Sequence, residues 1–158
     1  MNDKKMAQED LNQLLLESSK RLSTQTLMFH QAVASYLNLN ITDHKCLDII
    51  LGMSKATAGQ LAELTGLTTG AITSAINRLE KAGYVRRVKD PNDLRIVIVE
   101  PIYSKLHVIK EVFAPLSKAM TQLHSEYHPS ELMLILEYLE KSRQILWSQT
   151  EQLKMKTK

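Results

Sequence analysis

The sequence contains little cysteine and little glycine, and both shortages exclude classes of protein. Its 158 residues include one cysteine, Cys46, so we expect no intrachain disulfide framework, no cysteine-based zinc site and a reducing cytoplasmic location. Its five glycines form neither a G-x-G-x-x-G nor a G-x-x-x-x-G-K-[ST] pattern, which argues against nucleotide chemistry. Because no nucleophile paired with a base stands out either, we expect no enzyme, no cofactor and no metal.

Long hydrophobic runs and a strong charge of one sign are also missing. The longest aliphatic run, residues 132–136, is far shorter than the ~20 residues of a membrane-spanning helix, and the polar residues 1–10 lack the apolar segment of a secretion signal. We therefore expect a soluble protein with no membrane partner. Twenty basic residues against 17 acidic ones give a formal charge of +3, so any nucleic-acid contact must come from local clustering.

Apolar residues recur at helical spacing near the N-terminus. They form one stripe of a long helix that asparagines 38 and 40 are expected to end. Its members are Leu11, Leu14, Leu15, Leu22, Phe29, Val33, Tyr36 and Leu37. A second, shorter helix is expected to follow, with Thr42 as its N-cap and Gly52 as its stop.

Helical spacing returns after Pro101, with alternating steps of four and three residues. We expect a kink or a short break near residues 111–115, because Pro115 removes a backbone hydrogen bond. Pro129 is expected to open a last helix. Since these stripes are too long for a small unit to cover, a second subunit is favoured over packing of the terminal helices on each other. The predicted parts are therefore 1–40 (dimerisation), 41–101 (DNA binding) and 102–158 (dimerisation).

Residues 58–79 have the spacing that a helix-turn-helix requires. Gly66 stands at the turn, where a left-handed backbone is needed, and Ala62 is small where two helices would cross closely. The predicted core contacts between the helices are Leu61, Leu67, Ile72, Ile76 and Leu79. The second helix, near residues 69–82, is the predicted recognition helix.

The outer face of that second helix is small and polar. Spacing turns Ile72, Ala75, Ile76 and Leu79 inward. The opposite face carries Gly70, Thr73, Ser74, Asn77 and Lys81, with Arg78 on its flank. Because bulky apolar side chains are absent there, the helix can enter a major groove, where short polar and basic groups reach base edges or phosphates.

A β-hairpin is predicted directly after this helix. Residues 84–89 and 94–99 are rich in β-branched side chains, and the turn formers of residues 90–93 separate them. Between Arg78 and Arg95 six basic residues (Arg78, Lys81, Arg86, Arg87, Lys89, Arg95) stand against three acidic ones (Glu80, Asp90, Asp93), a local charge of +3. A basic hairpin at this place is typical of a wing that reaches along the phosphates into the minor groove.

These motifs resemble those of the multiple antibiotic resistance regulator (MarR) family. The resemblance is carried by residues 61–66 (LAELTG), 77–85 (NRLEKAGYV) and 90–95 (DPNDLR), and it extends over the whole chain. The L-E-K-x-G ending of the helix, followed by a D-x-x-D-x-R wing, is the specific part of the signal. Residues 99–103 depart from many relatives, which have a threonine and then a glycine there, so an atypical start of the following helix is expected.

The resemblance implies a transcription regulator that is mainly α with a small β-hairpin wing: a winged helix-turn-helix flanked by N- and C-terminal dimerisation helices. It also implies a homodimer that represses by binding a pseudo-palindromic operator on double-stranded DNA, with release by a small-molecule effector in many members. In relatives the aspartate that matches Asp93 steadies the wing, and the arginine that matches Arg95 approaches the minor groove. The residues expected at the DNA are Thr68, Thr69, Gly70, Thr73, Ser74, Asn77, Arg78, Lys81, Arg86, Lys89, Asp93 and Arg95.

Several alternative interpretations stay open at this stage. Cys46 is either a buried packing thiol, which we favour, or a redox-sensing thiol with His44 and Lys45 nearby. The five histidines are interpreted as surface residues, since Pro129 disturbs the register of His124 and His128. Residues 28–36 lie where relatives form an effector pocket, and no ligand contact is assigned. The competing function is an adaptor that keeps a winged fold and binds protein.

Overall fold

The computed structural model describes residues 2–156, with side chains from residue 8 onward. Within that range it confirms a mainly α fold with a small antiparallel sheet. The elements are α1 (Asn2–Tyr36), α2 (Ile41–Met53), β1 (Ala56–Thr57), α3 (Ala58–Thr65), α4 (Thr69–Lys81), β2 (Val85–Lys89), β3 (Val97–Pro101), α5 (His107–His124) and α6 (Pro129–Lys156). The chain divides into two compact units, one ending at Val112 and the other beginning at Phe113.

The join between α1 and α2 is built from asparagines. Asn38, just after the end of α1, has a left-handed backbone with φ 54°, as the predicted end of the helix requires. Asn40 caps α2, because its side-chain oxygen accepts the backbone N–H of Asp43 at 2.8 Å. The prediction that Thr42 is this N-cap is therefore wrong, and Thr42 lies inside the helix.

The end of α2 and the strand after it also differ from the prediction. Helix α2 continues through Gly52 to Met53 and closes at Ser54, whose φ is 63°. A glycine in a helix is tolerated at modest cost, so Gly52 alone is not a stop. Strand β1 was not predicted from the sequence, because two residues are too few to show an alternating pattern.

The predicted hairpin is present, and β1 extends it to three strands in the order β1-β3-β2. The second strand of the hairpin begins at Val97, later than the predicted start at Leu94. The reason is that Asp93 binds the intervening amides: its backbone oxygen accepts the Ile96 N–H at 2.9 Å, and its carboxylate accepts the Arg95 N–H at 3.0 Å. Residues 94–96 therefore belong to the loop of the wing.

The segment after the wing is irregular before it becomes helical. The Ile102 N–H donates to the backbone oxygen of Tyr84 at 2.9 Å, and a 3-10 turn, Tyr103–Lys105, precedes α5. The helix predicted to start at residue 102 therefore starts at His107. Of the two outcomes predicted near Pro115, the break is wrong, since α5 continues through this residue, and the kink stays a prediction. A single missing hydrogen bond does not end the helix. Helix α6 begins at Pro129 as predicted.

The core of the first unit is shared by α2, α3, α4 and the sheet. The largest fully buried aliphatic side chains are Leu47, Ile50, Leu61, Ile72, Ile76, Leu79, Val85 and Val99. The end of α1 joins this core through Val33, Ala34 and Leu37. Of the predicted helix-turn-helix core, Leu67 is the exception, because 37% of it is exposed.

A pair of glycine substitutions tests the turn between α3 and α4. Gly66 has φ 72°, and its N–H donates to the Ala62 oxygen at 2.8 Å. Gly66→Ala is expected to lower the free energy of unfolding by about 1 kcal/mol, because a Cβ is strained in the left-handed region. Gly52→Ala is the control: an added Cβ would meet nothing within 4 Å, so a gain of about 0.5–1 kcal/mol is expected. Chemical denaturation at one protein concentration measures both, and a stabilising Gly66→Ala would contradict the turn.

Candidate nucleic-acid interface

Helix α4 has the two faces that its sequence predicts. Ile72, Ala75, Ile76 and Leu79 are all buried, as predicted. The residues of the other face are all exposed: Thr69, Gly70, Thr73, Ser74, Asn77 and Lys81. Since α4 has 13 residues and rises 1.5 Å per residue, this polar face is about 20 Å long.

The start of α4 is fixed by Thr68. Its backbone is extended, and its hydroxyl oxygen accepts the Ala71 N–H at 3.3 Å. The hydroxyl proton is therefore what Thr68 can still offer to a phosphate. The first amides of a helix lack intrahelical partners and lie at the positive end of its dipole, so the beginning of α4 at Thr69 and Gly70 favours an anionic neighbour.

Arg78, predicted on the flank of the recognition face, is bound to Asp43 of α2. Its Nε and Nη2 atoms donate to the two carboxylate oxygens of Asp43, each at 2.7 Å. The Asp43 side chain is 3% exposed and the Arg78 side chain 49% exposed. This hydrogen bond raises the pKa of Arg78 above its ordinary value. A bidentate pair of this kind holds α4 on α2, so the guanidinium has a structural partner besides any contact with DNA.

A second ion pair connects α4 to the wing. Glu80 of α4 binds Arg87 of β2 twice: its Oε1 accepts the Arg87 backbone N–H at 3.1 Å, and its Oε2 pairs with Nη1 of the guanidinium. The other terminal nitrogen of Arg87, Nη2, donates to the side-chain oxygen of Asn77 at 2.6 Å. Asn77, on the exposed polar face of α4, is thus in contact with the wing.

Arg95 lies in the wing loop beside Asp93, as the sequence motif predicts. Its Nε and Nη2 atoms donate to the Asp93 carboxylate at 3.0 and 2.9 Å. These hydrogen bonds lower the pKa of Asp93 below its usual value, so the carboxylate stays ionised and keeps the arginine in place. The Arg95 side chain is nevertheless 91% exposed. Its guanidinium is therefore held by Asp93, while most of the side chain stays accessible to a partner.

The other predicted basic residues differ in how much of their charge is free. Arg86 donates from Nε to Glu100 on the neighbouring strand at 2.6 Å. Lys81 and Lys89 are exposed, and neither has a carboxylate partner among the residues that the structure describes. Near α4 and the wing, Lys81 and Lys89 are therefore the predicted basic residues without a carboxylate partner in the described part of the chain, whereas Arg95 is highly exposed but paired with Asp93.

Cys46 is fully buried in α2. Burial raises the pKa of its thiol, and the nearby Asp43 raises it further. A buried thiol that resists ionisation is a poor nucleophile towards oxidants. This arrangement favours the interpretation of Cys46 as a packing residue.

The histidines only partly follow the prediction. His107, His124 and His128 are exposed, whereas His44 is buried and His30 half-buried, so the prediction of surface histidines is wrong for this pair. Nδ1 of His30 and Nε2 of His44 lie 3.0 Å apart. The pKa of His44 is lowered, mainly because the imidazole is buried and also because His30 lies next to it. Among the described residues no group of three metal-ligating side chains occurs, and no helix there is long and apolar enough to cross a membrane.

Sequence reasoning missed three residues that organise this surface. The sequence identifies Arg87 as a basic residue of the wing and Glu80 as part of a family motif, but it does not predict that the two residues form a pair. Asp43 was only assigned to a short helix. The signal available for Glu80 and Arg87 was their position on either side of the tight turn at Gly83, whose φ is 78°; nothing local indicated that Asp43 meets Arg78, which is 35 residues away.

A helix-turn-helix followed by a basic hairpin defines a winged helix-turn-helix protein. The sequence profile of the MarR family matches residues 39–97. An uncharacterised HTH-type transcriptional regulator of Bacillus subtilis (strain 168), YcgE, is 41% identical over 148 residues, which are 94% of this chain and 96% of that protein. The chain belongs to the MarR family. It is a transcriptional regulator, and members of this family are not enzymes.

Solved structures show the same fold. The transcriptional regulator BldR of Sulfolobus solfataricus matches with a TM-score of 0.57 at 28% identity, over 87% of this chain and 95% of that one. FabT of Streptococcus pneumoniae, solved in complex with DNA, matches with a TM-score of 0.68 at 21% identity, over 86% of this chain and 97% of that one. At the latter identity the likeness concerns the fold alone.

The ion pair between α2 and α4 can be tested by removing its buried partner. Asp43→Ala is expected to lower the free energy of unfolding by about 1–3 kcal/mol, because it removes three side-chain hydrogen bonds, two from Arg78 and one from Asn40. Asp48→Ala is the matched control, because its pair with Lys45 at 3.0 Å is exposed and contributes less than about 1 kcal/mol. Urea denaturation compares them; equal losses would show that the Asp43 pair does not stabilise the fold.

Proposed function

We propose that this protein is a repressor that binds a pseudo-palindromic operator as a homodimer. The observation that carries the proposal is the exposed polar face of α4 next to a wing with free positive charge. In this proposal Thr73, Ser74 and Asn77 contact base edges, Thr68, Thr69 and Gly70 contact phosphates at the start of α4, and the basic residues contact the backbone. Arg95, steadied by Asp93, enters the neighbouring minor groove.

Exposed apolar surface supports the dimer. In α1, Leu11, Leu15 and Leu22 are exposed, and in α6, Leu136, Leu146 and Trp147 have exposures between 62% and 69%. Apolar surface of this extent on a single chain marks an interface. We propose that residues 1–40 and 102–158 form the dimer, which would pair two recognition helices across a palindrome.

Effector release and location belong to the same proposal. Residues 28–36 of α1 contribute exposed Met28 and Tyr36 and half-buried Phe29 and His30, a mixture of apolar and polar groups suited to a small organic molecule. We propose an effector that lowers DNA affinity, and a cytoplasmic protein because its target is chromosomal DNA. The burial of Cys46 does not support oxidant sensing as the signal.

The dimer is tested by light scattering on the purified chain. A mass of twice the chain's 18.0 kDa is expected at micromolar concentration, because the apolar side chains of α1 and α6 are covered only by a second copy. Leu136→Glu combined with Leu146→Glu is expected to shift the mass towards 18.0 kDa or to cause aggregation, since each change places a charge in the proposed interface. A wild-type protein that stays at the mass of one chain would refute the dimer.

The DNA contact is tested by selection from a randomised double-stranded library. One pseudo-palindromic sequence is expected to be enriched. Arg95→Ala is then expected to weaken binding to this sequence and to a scrambled one by similar factors, with a salt slope lower by about one unit per wing, since the minor groove carries little sequence information.

Arg143→Ala is the matched control for this charge removal. Arg143 lies in α6 and, like Arg95, is bound to a nearby carboxylate, in this case Glu140. We expect it to leave affinity and salt slope unchanged. If no sequence is enriched and binding to all DNA is weak at moderate salt, the repressor proposal fails and the protein-binding adaptor is favoured.

A further inference from the structure

We propose that Arg87 determines what Asn77 can recognise: it engages the amide oxygen and turns it towards the wing, so that the recognition helix presents Asn77 to the DNA mainly as a hydrogen-bond donor. This inference rests on the proposed function, because it concerns one base contact of the same surface. It assigns a specificity role to Asn77 and a positioning role to Arg87.

The first step is the orientation of the Asn77 amide. Nη2 of Arg87 lies 2.6 Å from its side-chain oxygen Oδ1. A guanidinium has only N–H donors and no acceptor, whereas the amide NH₂ group is itself a donor. The atom that meets Arg87 must therefore be the oxygen. The chemistry of the partner removes the usual ambiguity of an amide flip and leaves Nδ2 on the side of the amide away from the guanidinium.

Contacts with Glu80 and β3 hold Arg87 in place. Glu80 accepts its backbone N–H and pairs with its Nη1 atom, and the strand that carries it is bonded to β3, where Arg87 lies opposite Val99. The Arg87 side chain is 31% exposed, so it is partly shielded from solvent. The Asn77 amide is consequently held in one orientation before any DNA arrives.

The orientation of the Asn77 amide affects which bases it can contact. An asparagine whose oxygen and nitrogen are both free reads adenine by donating to N7 and accepting from the N6 amino group. Arg87 already engages one lone pair of Oδ1, so an adenine contact would have to share that oxygen with the guanidinium, whereas both N–H donors of Asn77 remain free of Arg87. They suit acceptors on the major-groove edge, namely O6 and N7 of guanine or O4 of thymine, and they are repelled by the amino group of cytosine. Guanine offers two such acceptors and is the expected base.

The experiment measures base preference one base pair at a time. After selection of the operator with the wild-type protein, the affinity of each variant is measured for every single base-pair change in a half-site. Asn77→Asp keeps the size of the side chain and its bond to Arg87 but replaces the donor by an acceptor. At one base pair per half-site we expect the preference to move from guanine or thymine to cytosine, a change of about 5- to 150-fold in the affinity ratio.

Two further variants isolate the role of Arg87. Arg87→Met keeps a long apolar stem and frees Oδ1, so adenine is expected to gain relative to guanine at that same base pair. Arg143→Met, the same exchange in α6, is the control and is expected to leave the preference at that base pair unchanged. If Arg87→Met does not fold, as judged by circular dichroism, Asn77→Asp still decides the question, because Asn77 is exposed and the exchange is tolerated by the fold.

Each outcome bears on the inference. A preference that switches at one base pair with Asn77→Asp supports it. If Asn77→Asp weakens all DNA variants by one common factor, or leaves the pattern unchanged, Asn77 only supports the wing and the inference is refuted. If the wild-type protein selects no sequence at all, the proposed repressor function fails first, a result that differs from a sequence-specific protein with an unaltered preference.

Discussion

The surface of this protein depends on the burial of one face of α4. Ile72, Ala75, Ile76 and Leu79 are all sealed in the core, and burial of an aliphatic side chain such as isoleucine or leucine contributes about 1.5–3 kcal/mol. Because a helix has 3.6 residues per turn, burying these four positions also determines which residues of α4 face the solvent. The polar face of α4 is thus a consequence of core packing.

Ion pairs then fix α4 relative to its neighbours. Arg78 binds Asp43 on α2, and Glu80 binds Arg87 on β2, so α4 is held on one side by α2 and on the other by the wing. In these pairs the charged side chains hold α4 against α2 and β2. Of the six basic residues between Arg78 and Arg95, four have carboxylate partners within the chain. Counting charges in the sequence therefore overstates the free positive charge of this surface.

Burial also separates the residues that maintain the fold from those that remain available for partners. Cysteine and histidine side chains can be reactive, but Cys46 and His44 are both buried beside Asp43 in α2. The low polarity there disfavours the charged forms of the thiol and the imidazole. Arg95 has the opposite environment: Asp93 binds its guanidinium, and the side chain is 91% exposed. Several apolar side chains of α1 and α6 are likewise exposed on the single chain and so remain available for a partner.

The sequence by itself determined the order of the helices, the position of the helix-turn-helix, the inward face of α4, the hairpin and the family, because these depend on periodicity and turn residues that act over a few positions. It did not determine the cap at Asn40, the late start of β3 or of α5, or the exposure of Leu67, where local hydrogen bonds and packing compete with propensity. Only the tertiary structure decided the pairing of Asp43 with Arg78 and of Arg87 with Glu80 and Asn77. Those contacts join residues from separate elements, and such contacts arise only once the elements have packed together.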